Sequence, residues 1–372
     1  MAAKYSDFVT AKSAMMSRSR RIGYYLVWLL GAATCYVLFV ALLQHQHLQE
    51  ESVQVQVQVS VQVKEYPAAD NTVPENPTTS PNSPRTHRLN ALNDDYQKLI
   101  DLPDFSFLLN TECPEDPGPL VVVVHTAPTH FEYREAIRST WGSSTKAKLV
   151  FMLGAVSNET LQWKLENESL QYDDLVQGSF EDSYRNLTYK HVMAFKWVKY
   201  HCKGYQHVLK TDDDIYVNLQ RLINFVQKGV FTGNRHVFCD YIKHAAVKRS
   251  WRSKWHVSFS EYKQTFYPTY CPGWLVLYSQ DLIERLYSLA QNQRFFWIDD
   301  VQVTGILGRK AGITHKPIQQ WMMSLEMYKD KLIGVLSPEE QCEYFKNVLF
   351  GPNELTPKLI RILWKALKDC PS

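Results

Sequence analysis

Residues 207–218, HVLKTDDDIYVN, set three adjacent carboxylates, Asp212, Asp213 and Asp214, between two apolar runs. Like charges in a row oppose burial, yet Val208-Leu209 before them and Ile215-Tyr216-Val217 after them have the branched and aromatic character of strand interior. A chain containing this stretch must bring it to a corner of a sheet where something positive meets the carboxylates. On a strand, Asp212 and Asp214 point to one side and Asp213 to the other. The first and third can then share a hard cation, Mg²⁺ or Mn²⁺, of the kind that carries a diphosphate. A solvated acidic turn is the alternative for three aspartates alone, and the apolar flanks count against it.

Two other runs, LVVVV at 120–124 and LVFMLG at 149–154, are continuous rather than alternating, as in strands buried on both faces of a parallel sheet. REAIRSTWG at 134–142 lies between them with helical spacing. The unit therefore reads as strand, helix, strand with a right-handed crossover, in a mostly parallel α/β sheet whose ligands gather at the carboxyl ends of the strands. An amphipathic helix follows around 192–198, then a helix at 219–226, strands at 237–241 and 275–278, and a helix at 303–307.

Ahead of this, residues 22–43 form an uncharged apolar stretch long enough to cross a hydrocarbon core of roughly 30 Å. Lys4, Lys12, Arg18, Arg20 and Arg21 precede it, and Glu50 and Glu51 follow. The positive-inside rule then gives a single-pass type II topology: a cytoplasmic tail at 1–21, a signal anchor at 22–43, a low-complexity stem at 44–103 containing VQVQVQVSVQV, and a lumenal domain at 104–372. In the lumen the sequons at Asn158, Asn167 and Asn186 are usable glycosylation sites, while Asn76 is excluded by the proline after it. Six cysteines beyond Cys35 favour disulfides in an oxidising compartment, with the pairing open. The chain's net charge of +3 includes +4 from residues 1–21, so the body is nearly neutral at −1 and offers no field for nucleic acid.

Several other residues have chemistry to offer. Arg134 and Arg138 share a helix face and could hold phosphate or uracil oxygens, or pair with Glu132 or Glu135. Asp182 could accept from uracil or ribose and Lys190 approach a phosphate, against ordinary helix capping and solvation. Trp255, Tyr270, Gly273 and Trp274 surround a Pro/Gly corner suited to stacking a sugar ring, or to a packed turn beside a disulfide. Asp299 and Asp300 follow an aromatic wall, where a carboxyl's pKa is raised towards that of a general base; helix N-capping is the alternative.

Taken in order, REAIRSTWG, FMLG, FEDSYRNLTYK, LKTDDDIYVN, KW, YPTYCPG and WIDDVQVTG, over residues 134–305, resemble the β1,3-glycosyltransferases of family 31. That family includes β1,3-galactosyltransferases and β1,3-N-acetylglucosaminyltransferases, with fringe enzymes as more distant relatives. The resemblance implies a GT-A-like α/β domain that binds a UDP-sugar, anchored in the Golgi membrane. It makes Asp214 the direct Mn²⁺ (or Mg²⁺) ligand, with Asp212 facing the metal or ribose and Asp213 on the donor side. Arg134, Arg138, Asp182 and Lys190 then belong to the nucleotide side, Trp255, Tyr270, Gly273 and Trp274 to the sugar and acceptor side, and Asp300 is the base. The implied reaction is inverting transfer of a hexose, galactose favoured over N-acetylglucosamine, to the 3-hydroxyl of an acceptor on glycoprotein or glycolipid. A homo-oligomer is compatible with this reading. A non-catalytic sugar-nucleotide-binding protein and a lumenal metal-dependent hydrolase are the other classes.

Overall fold

The computed structural model describes residues 95–370 apart from 145, 324–336, 346–347 and 369. The chain divides into two compact units, and all described residues belong to the second, Thr86–Ser372. The elements run β1 (Phe107–Leu109), β2 (Leu120–His125), α1 (Phe131–Arg138), β3 (Lys148–Ala155), α2 (Glu159–Tyr172), β4 (Leu175–Glu181), α3 (Leu187–His201), β5 (His207–Asp212), α4 (Leu219–Gln227), β6 (His236–Cys239), β7 (Leu275–Ser279) and α5 (Asp281–Ala290). A π-helical turn, Val301–Leu307, continues into α6 (Gly308–Ala311), followed by β8 (Thr314–Pro317), α7 (Pro338–Phe345) and α8 (Pro357–Leu367).

The strands form one sheet in the order β1-β4-β3-β2-β5-β7-β6-β8. Every residue of β2 is buried, because each face of that strand meets a helical layer. Val121 and Val123 pack with Val192 and Met193 of α3 and Leu282 and Ile283 of α5. Leu120, Val122 and Val124 pack with Ile137 of α1, Leu222 of α4 and Ile360 and Leu363 of α8. A valine or leucine fully removed from water contributes about 1.5–3 kcal/mol, so the continuous runs of β2 and β3 are what make the sheet's centre the stable part.

The expectation of a mostly parallel sheet is corrected to a mixed one. β4, β3, β2 and β5 run parallel, but β7 enters antiparallel to both β5 and β6. Ile215-Tyr216-Val217 is not a strand: β5 ends at Asp212, and the segment is buried with Val217 bridging Phe350. Trp141 Nε1 holds this turn by donating to Ile215 O at 3.1 Å. Instead of being amphipathic, α3 is enclosed on all sides from Thr188 to Val198, which forces Lys190, His191 and Lys196 to find partners inside the protein. The folded part starts before Asp104, since Leu99 and Ile100 are already buried.

Among the described residues no helix is long and apolar enough to cross a membrane. The expected anchor at 22–43, the tail at 1–21 and most of the stem lie outside the described residues. The fold class is accordingly corrected to a mixed α/β domain with no membrane helix among the described residues, and these residues give the expected single-pass Golgi membrane topology no support. Three disulfides are present, Cys113–Cys202, Cys239–Cys271 and Cys342–Cys370. Of the sequon asparagines, Asn158 caps α2 through Leu161 N, Asn167 lies exposed on α2, and Asn186 Nδ2 donates to Glu181 O.

Candidate active site

Strand order reverses at β2: β3 and β4 lie to one side of it and β5 to the other, with His125 and Asp212 in register at the carboxyl ends. Such a reversal opens a crevice beyond the strand ends. Here it is a cavity of about 500 Å³. From the expected residues it collects Asp182, Lys190, Asp212, Asp213, Asp214, Trp255, Gly273, Trp274, Asp299 and Asp300, and it adds His125, His130, Tyr184, Lys210 and Trp297.

The three aspartates have three different environments. Asp212 Oδ1 accepts from Lys210 Nζ at 2.7 Å. Asp213 is buried and accepts from Thr126 Oγ1 at 2.5 Å and meets His130 Nδ1 at 2.8 Å, which raises the His130 pKa. Asp214 Oδ1 is buried without a partner, and burial together with the charges of Asp212 and Asp213 pushes its pKa up to about 6. The strand alternation expected to set Asp213 apart does not operate, because β5 stops at Asp212 and the next two residues form a turn. All three still line the cavity.

Asp299 and Asp300 approach from the start of the π-helical turn. Asp299 Oδ2 meets His191 Nδ1 at 3.0 Å, and His191 Nε2 meets Tyr278 OH at 3.0 Å. Burial pushes Asp299 up, but the His191 hydrogen bond and the Lys210 charge outweigh it, so its pKa is lowered. Burial and the neighbouring Asp299 charge hold Asp300 well above the carboxylate range. Two carboxyls driven apart in this way take different roles, and Asp300 is the one with proton affinity to spare. Gly273 leaves room beside it, since a Cβ there would collide with Asp300 Oδ1 and push that carboxyl aside. Lys210 is buried, which disfavours its charge, yet Asp212 and Asp299 raise its pKa above the ordinary value; Nζ also donates to Gly273 O.

On the other wall, Asp182 Oδ2 accepts from Gly154 N at 2.6 Å and pairs with Lys190 Nζ at 2.8 Å. Lys190 also donates to Thr126 O. Trp255 Nε1 donates to Tyr184 OH at 2.9 Å, and the Trp274 carbonyl accepts from Thr211 Oγ1 and Asp212 N.

Three expected residues stand elsewhere. Arg134 is fully buried and bidentate to Glu168, with further bonds to Ala127 O and Pro128 O. Arg138 pairs with Glu168 and Asp174. Their partners come from α2 and the residue just before β4 rather than from Glu132 or Glu135, and they leave no guanidinium facing the cavity. Tyr270 is a packed residue, bridged to Ile242 with its Cβ against Gly305. His125, His191 and Lys210 went unread in the sequence. His125 is buried at the cavity with both ring nitrogens unpartnered, and burial holds its pKa well below the ordinary value. The signal available for Lys210 was a lysine inside an apolar strand run; isolated histidines in 125 and 191 carry none.

Among the described residues no group of three or more His, Cys, Asp or Glu side chains is arranged to hold a metal ion. A Mg²⁺-type ion bound with a diphosphate needs only one or two protein carboxylates, the rest of its shell being phosphate oxygen and water. Asp214, with its unpartnered buried oxygen, and Asp212 beside it fit that requirement.

The family model described as Galactosyltransferase matches residues 132–319. Beta-1,3-galactosyltransferase 1 of Homo sapiens is 32% identical over 249 residues, covering 63% of this chain and 76% of the relative. N-acetyllactosaminide beta-1,3-N-acetylglucosaminyltransferase 4 of Mus musculus is 32% identical over 276 residues, covering 72% and 75%. Among solved structures, a glycosyltransferase involved in the glycosylation of the major capsid of PBCV-1 is 10% identical, covering 66% of this chain and 100% of that one, at a TM-score of 0.31.

Proposed function

The chain belongs to the galactosyltransferase family, and from that membership we propose that its cleft holds a UDP-sugar between the Asp182–Lys190 wall and Asp212–Asp214, with the acceptor sugar against Asp300. The reaction is transfer of a sugar from UDP to the 3-hydroxyl of an acceptor, forming a β1,3 linkage. Galactose is the donor sugar we favour. N-acetylglucosamine is the second reading, supported by the mouse N-acetylglucosaminyltransferase relative, and a panel of UDP-sugars separates the two.

The observation that carries this reading is the unequal carboxyl pair. Asp299 is held ionised by His191, and Asp300, against Gly273, has its proton affinity raised by burial and by that charge. As the acceptor 3-oxygen attacks the anomeric carbon, its proton passes to the Asp300 carboxylate and the bond to the UDP oxygen breaks. Attack from the face opposite the leaving group turns an α-linked donor into a β product in one displacement. Lys190 and Lys210 place two cations at the cavity, which supports the diphosphate as charge accumulates on it. A divalent cation bound at Asp214 and Asp212 would supply charge neutralisation for the same leaving group.

Replacing Asp300 by Asn keeps the volume and removes the base. Transfer should fall by about 10²–10⁴ while UDP affinity stays within about twofold. Loss of UDP binding in this variant would move Asp300 to the donor site and overturn its assignment.

A further inference from the structure

Between β6 and β7 the chain leaves the sheet as an arm, residues 240–270, closed at its base by the Cys239–Cys271 disulfide. Backbone bonds from Tyr267 N to Ala245 O and from Val247 N to Thr265 O join its two sides. Val247, Val257 and Tyr267 pack it against Phe296, Trp297 and Val301. The arm is therefore fixed beside Asp299 and Asp300, and its Trp255 enters the cleft.

Packing does not account for the arm's outer face. In a chain whose body is close to neutral, residues 240–270 carry six lysines and arginines against two acidic residues. Arg249 is used internally, donating to the carbonyls of Val257, Ser258, Tyr262 and Gln264. Glu261 pairs with Arg185 outside the arm. Lys248, Arg252 and Lys254 are exposed and make no ion pair among the described residues. With them stands Trp251, 79% exposed. Lys254 Nζ lies 4.6 Å from the Tyr184 ring centre and 5.4 Å from that of Trp255, both of which line the cleft.

We infer that this arm selects an acidic acceptor, a saccharide carrying uronate carboxylates beyond its reacting sugar, with Lys248, Arg252 and Lys254 meeting the carboxylates and Trp251 and Trp255 covering sugar faces. Cations beside exposed indoles also suit an anionic lipid surface. Continuity decides for the saccharide, because Lys254 and Trp255 belong at once to the arm and to the mouth of the cleft where an acceptor must present its hydroxyl to Asp300. The inference rests on the transfer reaction proposed above and deepens it.

The test is direct binding of the full chain to an oligosaccharide of alternating glucuronate and N-acetylhexosamine, compared with the same oligosaccharide whose carboxylates are reduced to hydroxymethyl groups. Exposed charge contacts are individually weak and screened by salt. Three of them should give about a five- to tenfold preference for the carboxylate form at low salt, shrinking as salt is raised. Lys248→Gln, Arg252→Gln and Lys254→Gln together should erase the preference, and Lys248→Arg, Arg252→Lys and Lys254→Arg together should keep it. Equal binding of the two oligosaccharides overturns the inference, as does a preference that survives the three glutamine replacements, or a charge effect seen only with phosphatidylserine vesicles. A separate transfer assay with UDP-galactose and a neutral β-galactoside distinguishes this failure from failure of the reaction itself: transfer without any preference for carboxylate sinks only the arm's role.

Discussion

At the scale of single residues, the cleft works by giving identical side chains unequal surroundings. Asp299 and Asp300 are sequence neighbours, yet one is tied to His191 and the other stands against the bare backbone of Gly273. This makes Asp299 more than a bystander. A base must be ionised to accept a proton, so transfer should rise with pH through the Asp300 pKa, and the Asp299 charge helps to hold that pKa high. Asp299→Asn removes the charge, lowers the Asp300 pKa and should move the rising limb of the pH profile to lower pH, with Asp300 itself still in place. An unmoved limb in kcat/KM would mean that the limb reports another group. The pair was legible as two carboxylates behind an aromatic wall, with Asp300 set apart as the base through the family resemblance; the partner that makes them unequal was not, because His191 lies 108 residues from Asp299 and only folding brings them together.

Among the elements, the readable ones are those whose burial needs no partner to be named. LVVVV and LVFMLG are apolar at consecutive positions, which only a strand covered on both faces tolerates, and they became β2 and β3 at the sheet's centre. Ile215-Tyr216-Val217 looked the same and is not a strand. Register explains the difference: pairing of β5 with β7 ends at Thr211 and Leu275, so the chain has no neighbour to follow past Asp212. The two arginines of α1 show the opposite problem, since their spacing suited an anion and their partners came from residues 168 and 174. Glu168 is buried beneath both guanidiniums. Glu168→Ala would leave Arg134 charged and enclosed, and should cost about 3–5 kcal/mol of unfolding free energy. Urea denaturation measures this, and UDP affinity per folded molecule should stay unchanged. A loss below about 1 kcal/mol would show that the pair is not what holds α1 to α2.

Across the whole molecule, charge is segregated: six carboxylates line the cleft, and the basic arm stands at its rim. Concentrating carboxylates in a half-enclosed space destabilises their ionised forms unless a cation joins them, and at Asp214 burial, with the charges of Asp212 and Asp213 added to it, raises the pKa from 3.8 to about 6. A folded-state pKa above the unfolded one means that the fold holds the proton more tightly. The stability it contributes is complete below the unfolded pKa and is lost as pH rises through about 6. The loss is about 2 kcal/mol at most, since Asp214 is only half-buried, or a few degrees in Tm. In chelator, the wild-type Tm should therefore fall relative to that of Asp214→Asn between pH 4.5 and 7.5, because asparagine has no proton to lose. Mn²⁺ with UDP should remove that fall and raise the wild-type Tm near neutral pH, where the bound cation favours the ionised carboxylate. The same additions should move Asp214→Asn much less. Thermal scans of both proteins over that pH range, with chelator and with Mn²⁺ plus UDP, test the coupling. Parallel pH slopes in chelator would remove Asp214 as the strained carboxyl, and equal stabilisation of the two proteins would place the cation elsewhere.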